Sequence, residues 1–327
     1  MALNYDSLSS LTKDKFIPVL VDNIFNSNVL TFRLLKNAEK ITGGKKIITP
    51  VEYGVNGAQG FYNGYDVLDT TPSDPFSAAE WDWKMAYATI SISGEDELKN
   101  SGDSQVLSLL KAKVKNAEKS LKDLFGTKLY STAPDAKEIT ALGDGSAGDG
   151  DVMGQDRVLG GIDSTTYTWW DSQDVAVGEA DWDKIVDSTE AGYIQKHMRR
   201  MYGLCSIDND HPTLIVTSRI LFDAYEATLT PQKRFTGDSK LADAGFENLA
   251  FKGASVVIDD HCPAGIMYFL NENYLDFKVH PKRNFTFESF QKPINQDAQV
   301  AKILWMGNLT CTNPRMQGFL DGLPTAY

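Results

Sequence analysis

Two stretches decide the fold: HPTLIVTSRILFDAYEATLTPQKRF (211–235) and ADAGFENLAFKGASVVIDDHCPAGIMYFLN (242–271). TLIVTS (213–218) is short, apolar and β-branched, the composition of a buried strand. Ser218 follows it, well placed to cap the helix RILFDAYEATL. ASVVIDD (254–260) and IMYFLN (266–271) read as two further short strands. Strands and helices thus mix along the chain, which predicts an α+β fold.

Outward toward the C-terminus, AQVAKILWMGNLTCTN (298–313) alternates like a strand. Upstream, WDKIVDSTEAGYIQKHMRRMYG (182–203) reads as a helix, with Ile185, Val186, Ile194, Met198 and Met201 apolar. GDGSAGDGDVMGQD (143–156) is rich in glycine and aspartate but lacks the ligand offsets and closing glutamate of an EF-hand, so a flexible surface loop is expected. Residues 103–125 give the strongest helical pattern. Val106, Leu109, Leu110, Val114, Ala117, Leu121, Leu124 and Phe125 recur at three- and four-residue steps, Lys111, Lys113, Lys115, Lys119 and Lys122 fill much of the rest, and Gly126 is expected to end the rod.

Residues 45–94 change character. KKIITPVEY has strand composition, and EWDWKMAYATISIS has a period of two that puts Trp81, Trp83, Met85 and Tyr87 on one face. Between them NGAQGFYNGYDVLDTTPSDP is a run of turn formers. The pattern predicts a long two-stranded arm with a loose tip, which is marginal alone in water and should be covered by a neighbouring subunit. The alternative is a hairpin packed on its own domain. Residues 1–44 read as an arm: Asp14 to Leu35 can form one or two helices, with Ile17, Leu20, Val21, Ile24 and Phe25 on one face, and Gly43-Gly44 stops the pattern.

The net charge of −12 argues against a protein that grips nucleic acid by its phosphates, but not against a container for it. No secretory signal and no membrane-spanning run is visible. Cys205, Cys262 and Cys311 are widely spaced and odd in number, as expected of free thiols in a reducing cytoplasm. The four histidines, His197, His211, His261 and His280, show no metal-binding spacing. Asp259-Asp260-His261-Cys262 is the most suggestive chemical cluster, yet sequence neighbours at a strand end point in different directions. No phosphate-binding, dinucleotide-binding or nucleophile-elbow motif is present. No catalytic residue, metal ligand or cofactor is therefore expected.

From the first helix onward the sequence resembles the major capsid proteins of tailed bacteriophages with the Hong Kong 97 coat fold. DKFIPVLVDNIFNSNVL followed by GGKKIITPVEYG, GGIDSTTYTWW (160–170) with Trp169 and Trp170, the two stretches quoted first, and WMGNLTCTNPRMQGFL (305–320) carry the likeness. It implies an N-terminal arm (1–44), an extended E-loop hairpin (45–94), a P-domain with a long spine helix (95–130), an A-domain (131–295) and a return to the P-domain (296–327). It also implies a non-enzymatic subunit of an icosahedral shell around double-stranded phage DNA, in the virion capsid and assembled in the bacterial cytoplasm.

The implied partners are copies of the chain itself in hexamers and pentamers, a portal, possibly a separate scaffolding or decoration protein, and DNA bound without sequence specificity; no membrane is involved. Phe61, Tyr62, Tyr65, Trp81 and Trp83 are candidate inter-subunit contacts. Some relatives join neighbours through an E-loop lysine, but none lies between Lys46 and Lys84, so an uncrosslinked shell is expected. Only a short arm precedes the hairpin, which implies scaffolding that is separate or already removed. Two other readings stay open: an encapsulin-like shell around protein cargo, and a cytoplasmic enzyme using Cys262 and His261.

Overall fold

The computed structural model describes residues 28–72, 74–95, 103–132, 134–143, 150–178, 193–229 and 249–325. The described residues open with α1 (Val29–Lys36), β1 (Glu39–Lys40), β2 (Ile47–Glu52), β3 (Phe76–Trp81), β4 (Lys84–Ser93) and α2 (Asp103–Leu129). Then come β5 (Val158–Leu159), β6 (Ile162–Asp163), β7 (Gln173–Ala176), α3 (Tyr193–Leu204), β8 (Leu214–Thr217) and α4 (Arg219–Ala227). The remaining strands among the described residues are β9 (Leu249–Phe251), β10 (Ala254–Ile258), β11 (Met267–Leu270), β12 (Leu275–Val279), β13 (Thr286–Gln291), β14 (Ala298–Cys311) and β15 (Gly318–Asp321).

The described parts of 211–235 and 242–271 supply four adjacent strands, β11, β8, β10 and β9, of a six-stranded sheet ordered β7-β15-β11-β8-β10-β9. β8 pairs parallel with β10 and antiparallel with β11. Every residue of β8 and β11 is buried. Successive residues serve opposite faces: Leu214, Val216, Tyr268 and Leu270 pack toward α2, and Ile215, Met267 and Phe269 join α3 and α4. A strand with helices on both faces has no polar side to show, so the run is apolar throughout instead of alternating. Ser218 is the N-cap of α4, but its side chain makes no capping hydrogen bond; only its carbonyl is used, by Phe222 N.

The second sheet is built on β14, a strand of 14 residues. One edge pairs with β4 over 298–307, and the other is shared by β13 and β12. β1 adds to β12 in parallel. α2 packs on β4, placing Phe125 against Trp305 edge-to-face at 4.8 Å, with Phe277 and Phe285 completing the cluster. At 27 residues, α2 is a rod of about 40 Å.

Two expectations change. Gly126 does not end α2, which runs on to Leu129; the residue is a glycine because the His261 ring occupies the space a Cβ there would need. The strand expected over 80–93 breaks at Asp82–Trp83: β3 pairs with β2, whereas β4 leaves to pair with β14. The two-stranded ribbon is therefore Ile47–Glu52 against Phe76–Trp81, shorter than 45–94. β12 and β13 belong to the β14 sheet and β15 to the six-stranded sheet, so among the described residues the chain passes between the two main sheets three times, after β4, β11 and β14. Of the arm expected over 1–44, residues 1–27 lie outside those described; α1 is capped by Asn28, whose side chain accepts from Thr31 N at 3.2 Å.

Candidate assembly surface

The ribbon ends in the loop 53–75. Its root is closed by Tyr53, whose N donates to Pro75 O (2.9 Å) and whose Oη donates to Asp74 O (3.1 Å). Beyond that point Phe61, Tyr65 and Val67 are about as exposed as in an open chain, at 110%, 105% and 98%, and Tyr62 and Leu68 are exposed too. Asp66, Asp69 and Asp74 give the loop negative charge, with no lysine or arginine between Lys46 and Lys84. Hydrogen bonds from the Thr71 hydroxyl and amide hold the Asp69 carboxyl below the usual range, so it stays ionised. The tip is thus an aromatic and aliphatic surface with anionic flanks.

The other candidate contacts are placed differently. Trp81 is buried in the core of its own chain, its indole against the backbone of Gly160. Trp83 is half-buried; its Nε1 donates to Gly44 O (3.0 Å) and its ring meets His280 edge-on. Phe61, Tyr62 and Tyr65 are therefore presented outward, whereas Trp81 is committed within the chain, because strand alternation inverts after the break at Asp82–Trp83.

That inversion exposes a surface the sequence did not single out. β4 turns Ala86, Ala88, Ile90 and Ile92 inward and Met85 and Tyr87 outward, where they flank Leu124 of α2. A groove of about 700 Å³ runs between β4 and α2, lined by Tyr87, Leu124 and Lys113 among others. Lys84 and Lys128 border its continuation. The sequence signal was the period of two that set Met85 and Tyr87 on one face, opposite Ala86 and Ala88.

The cluster 259–262 has a different geometry from that of a reactive site. The buried Asp259 carboxylate accepts from Tyr130 Oη (2.9 Å) and His261 N (3.0 Å). His261 Nε2 lies 3.3 Å from Asp123 of α2. Cys262 Sγ faces the carbonyls of Pro263 and Ile266, both at 3.7 Å. Burial pushes the Cys262 thiol well above its ordinary range and raises Cys205 and Cys311 to about 12, which removes the thiolate that nucleophilic chemistry needs. Among the described residues no three His, Cys, Asp or Glu side chains converge as metal ligands, and no helix is long and apolar enough to cross a membrane.

No protein-family model matches the sequence. No curated protein matches it either. Solved structures do. The chain is similar to the capsid protein of cyanophage A-1(L), with a TM-score of 0.55 at 15% identity over 91% of this chain and 93% of that one. This is the fold of tailed-phage major capsid proteins. The capsid of the empty GTA particle aligns with a TM-score of 0.57 at 11% identity, covering 89% of each chain. The procapsid of satellite phage P4 gives 0.52 at 11% identity, over 94% of this chain and 91% of that one. These neighbours are structural capsid proteins, not enzymes.

A further arrangement escaped the sequence reading altogether. The half of 143–156 that is described is not a surface loop: Asp151, Val152, Met153 and Gly154 are buried around Arg157, whose guanidinium donates to the carbonyls of Asp151 (2.7 Å), Val152 and Gly154. Burial pulls the guanidinium down from its ordinary value, while the carboxylates of Asp171 and Asp151 oppose this. An arginine within a glycine-rich stretch carries no periodic signature, so nothing in the sequence marked it.

Proposed function

We propose that this chain is the major subunit of an icosahedral phage head that encloses double-stranded DNA. On this reading the ribbon and its loop are the E-loop, α2 is the spine helix of the P-domain, and the six-stranded sheet is the core of the A-domain. Hexamers and pentamers of the chain, a portal, separate scaffolding or decoration proteins and packaged DNA are the corresponding partners, with assembly in the host cytoplasm.

The observation that carries the reading is the exposure of Phe61, Tyr62, Tyr65, Val67 and Leu68 on one loop. Large apolar side chains exposed together on one loop mark an interaction site, and aromatic side chains contribute heavily to interface energetics. The anionic loop suits the groove of a second copy, where Lys84 and Lys113 lie beside Met85, Tyr87 and Leu124. The acidic net charge agrees with a container wall that does not hold its contents tightly.

Expression of the chain alone, followed by size-exclusion chromatography and negative-stain imaging, tests this directly. Shells, tubes or capsomer rings support it, and nuclease-protected DNA in particles from infected cells separates a phage head from a compartment for protein cargo. The double substitution Phe61→Asp and Tyr65→Asp should abolish assembly while leaving the thermal midpoint of the subunit within about 2 °C, since both side chains are exposed. Assembly that survives the double substitution would remove the loop from the interface.

A further inference from the structure

The ribbon leaves the body at an angle that its own chain fixes. Glu80 N of β3 donates to Gly160 O (2.8 Å), extending the ribbon's hydrogen bonding onto the loop after β5. Gly160 has φ +59°, and a Cβ there would sit 3.0 Å from both Ala79 Cβ and the Trp81 ring, so only glycine allows this approach. One step further out, Tyr53 stacks on Trp169, with ring centroids 5.2 Å apart and planes 15° from parallel. Trp169 in turn meets Trp170 edge-on at 5.4 Å, and Trp170 is buried with Nε1 donating to Leu159 O (3.0 Å). The stack therefore joins Tyr53, the residue at the root of the loop, through Trp169 to a ring anchored in the core.

We propose that the Tyr53–Trp169 stack is a stop that sets the direction of the ribbon in the free subunit, so that the loop 53–75 reaches a second copy already aimed. The proposal rests on the shell-forming reading for its consequence, but not for its geometry. Tyr53 and Trp169 lie outside the exposed tip, so the pair is available in the same chain before any neighbour arrives. Pre-aiming lowers the ordering cost of association, which otherwise falls on a long flexible element at the moment of contact. It also limits the range of angles between neighbours, and hence the range of shell curvatures.

The test separates aiming from assembly. Spin labels are placed through Asn63→Cys and Asp135→Cys on the dilute full-length chain, whose native cysteines are buried, and the inter-label distance distribution is measured. Trp169→Ser should broaden that distribution, because losing a stacked aromatic pair shifts an open–closed equilibrium roughly fivefold to tenfold. Trp169→Phe should restore the narrow distribution. Tyr53→Leu removes the stack from the other side and serves if Trp169→Ser does not fold. A second readout is the diameter distribution of assembled particles, expected to widen in the Trp169→Ser chain. Unchanged distance distributions in both Trp169→Ser and Tyr53→Leu would overturn the stop. Failure of the unaltered chain to form any particle would count against the shell reading, while the distance measurement would still decide the stop.

Discussion

Replacing Arg157 with methionine keeps the volume of the side chain and removes its donors. Arg157 is fully buried, and its guanidinium satisfies three backbone carbonyls, those of Asp151, Val152 and Gly154, with Asp171 at 3.7 Å as its counter-charge. Each buried acceptor left without a partner costs about 1–3 kcal/mol. The three lie in one short segment that relaxes together, so their costs do not simply add. Breaking a buried charged pair from one side costs about 3–5 kcal/mol, and we take that as the expected loss. Against a total stability of roughly 5–15 kcal/mol this is a large fraction. At about 2 °C per kcal/mol for a chain of this size, the thermal midpoint should fall by roughly 6–10 °C.

Denaturant unfolding followed by tryptophan fluorescence is the appropriate assay, since Trp170 hydrogen-bonds within the same region. Arg157→Lys is the control. It keeps the charge but offers a compact ammonium in place of a planar fork, so it should fall between methionine and the native residue. An Arg157→Met chain within about 1 kcal/mol of the native one would refute the claim that the guanidinium organises residues 151–172.

Three further outcomes follow from the geometry. Asp259→Asn probes a carboxyl that burial holds above its ordinary value; such a group contributes stability that is complete below about pH 3.9 and is lost as the pH rises through the raised folded value, so the asparagine chain should gain on the native one between pH 4 and pH 7 in paired melts, and a widening deficit over that range would contradict it. Gly307→Ala should cost about 1–3 kcal/mol in a denaturation series, because the added Cβ would lie 2.6 Å from Lys278 O and 2.8 Å from the Trp305 ring. Mature particles boiled in SDS should give one band near 36.2 kDa, since the loop carries no lysine to join neighbours, and a ladder would disprove this.

The elements that were legible in the sequence are those whose periodicity matches their burial. β8, β10 and β11 read as strands because both faces are packed, and the α2 stripe of Val114, Ala117, Leu121 and Phe125 is buried as its spacing implies. The 80–93 run was misread for a physical reason. Period two continues unbroken from Trp81 to Tyr87, but the chain changes partner at Asp82–Trp83, and no local signal distinguishes one strand from two that share a register of alternation. Gly126 has the look of a helix stop, yet it is kept small by a histidine 135 positions later in the chain, a contact invisible to any window. The exposure of the loop aromatics was legible because turn formers surround them, whereas Trp81 was indistinguishable from Trp83 until its partner Gly160 was placed.

The exposed loop also constrains how the subunit must be stabilised. Segments beyond about 12–15 residues without secondary structure are uncommon in compact folds unless they serve a function, and 53–75 exceeds that length. An isolated ribbon carrying such a loop would be marginal, and the expected remedy was cover from a neighbour. The structure supplies a remedy from within. Ile47, Val51, Ala79 and Trp81 are buried in the chain's own core, and Gly160 continues the hydrogen bonding of β3. Burial at the root is thus independent of association, and exposure is concentrated at the tip. With its root buried in the chain's own core, the tip is free to expose apolar and aromatic side chains, so changes there should alter association and leave the monomer's stability alone, while changes at Arg157 should do the reverse.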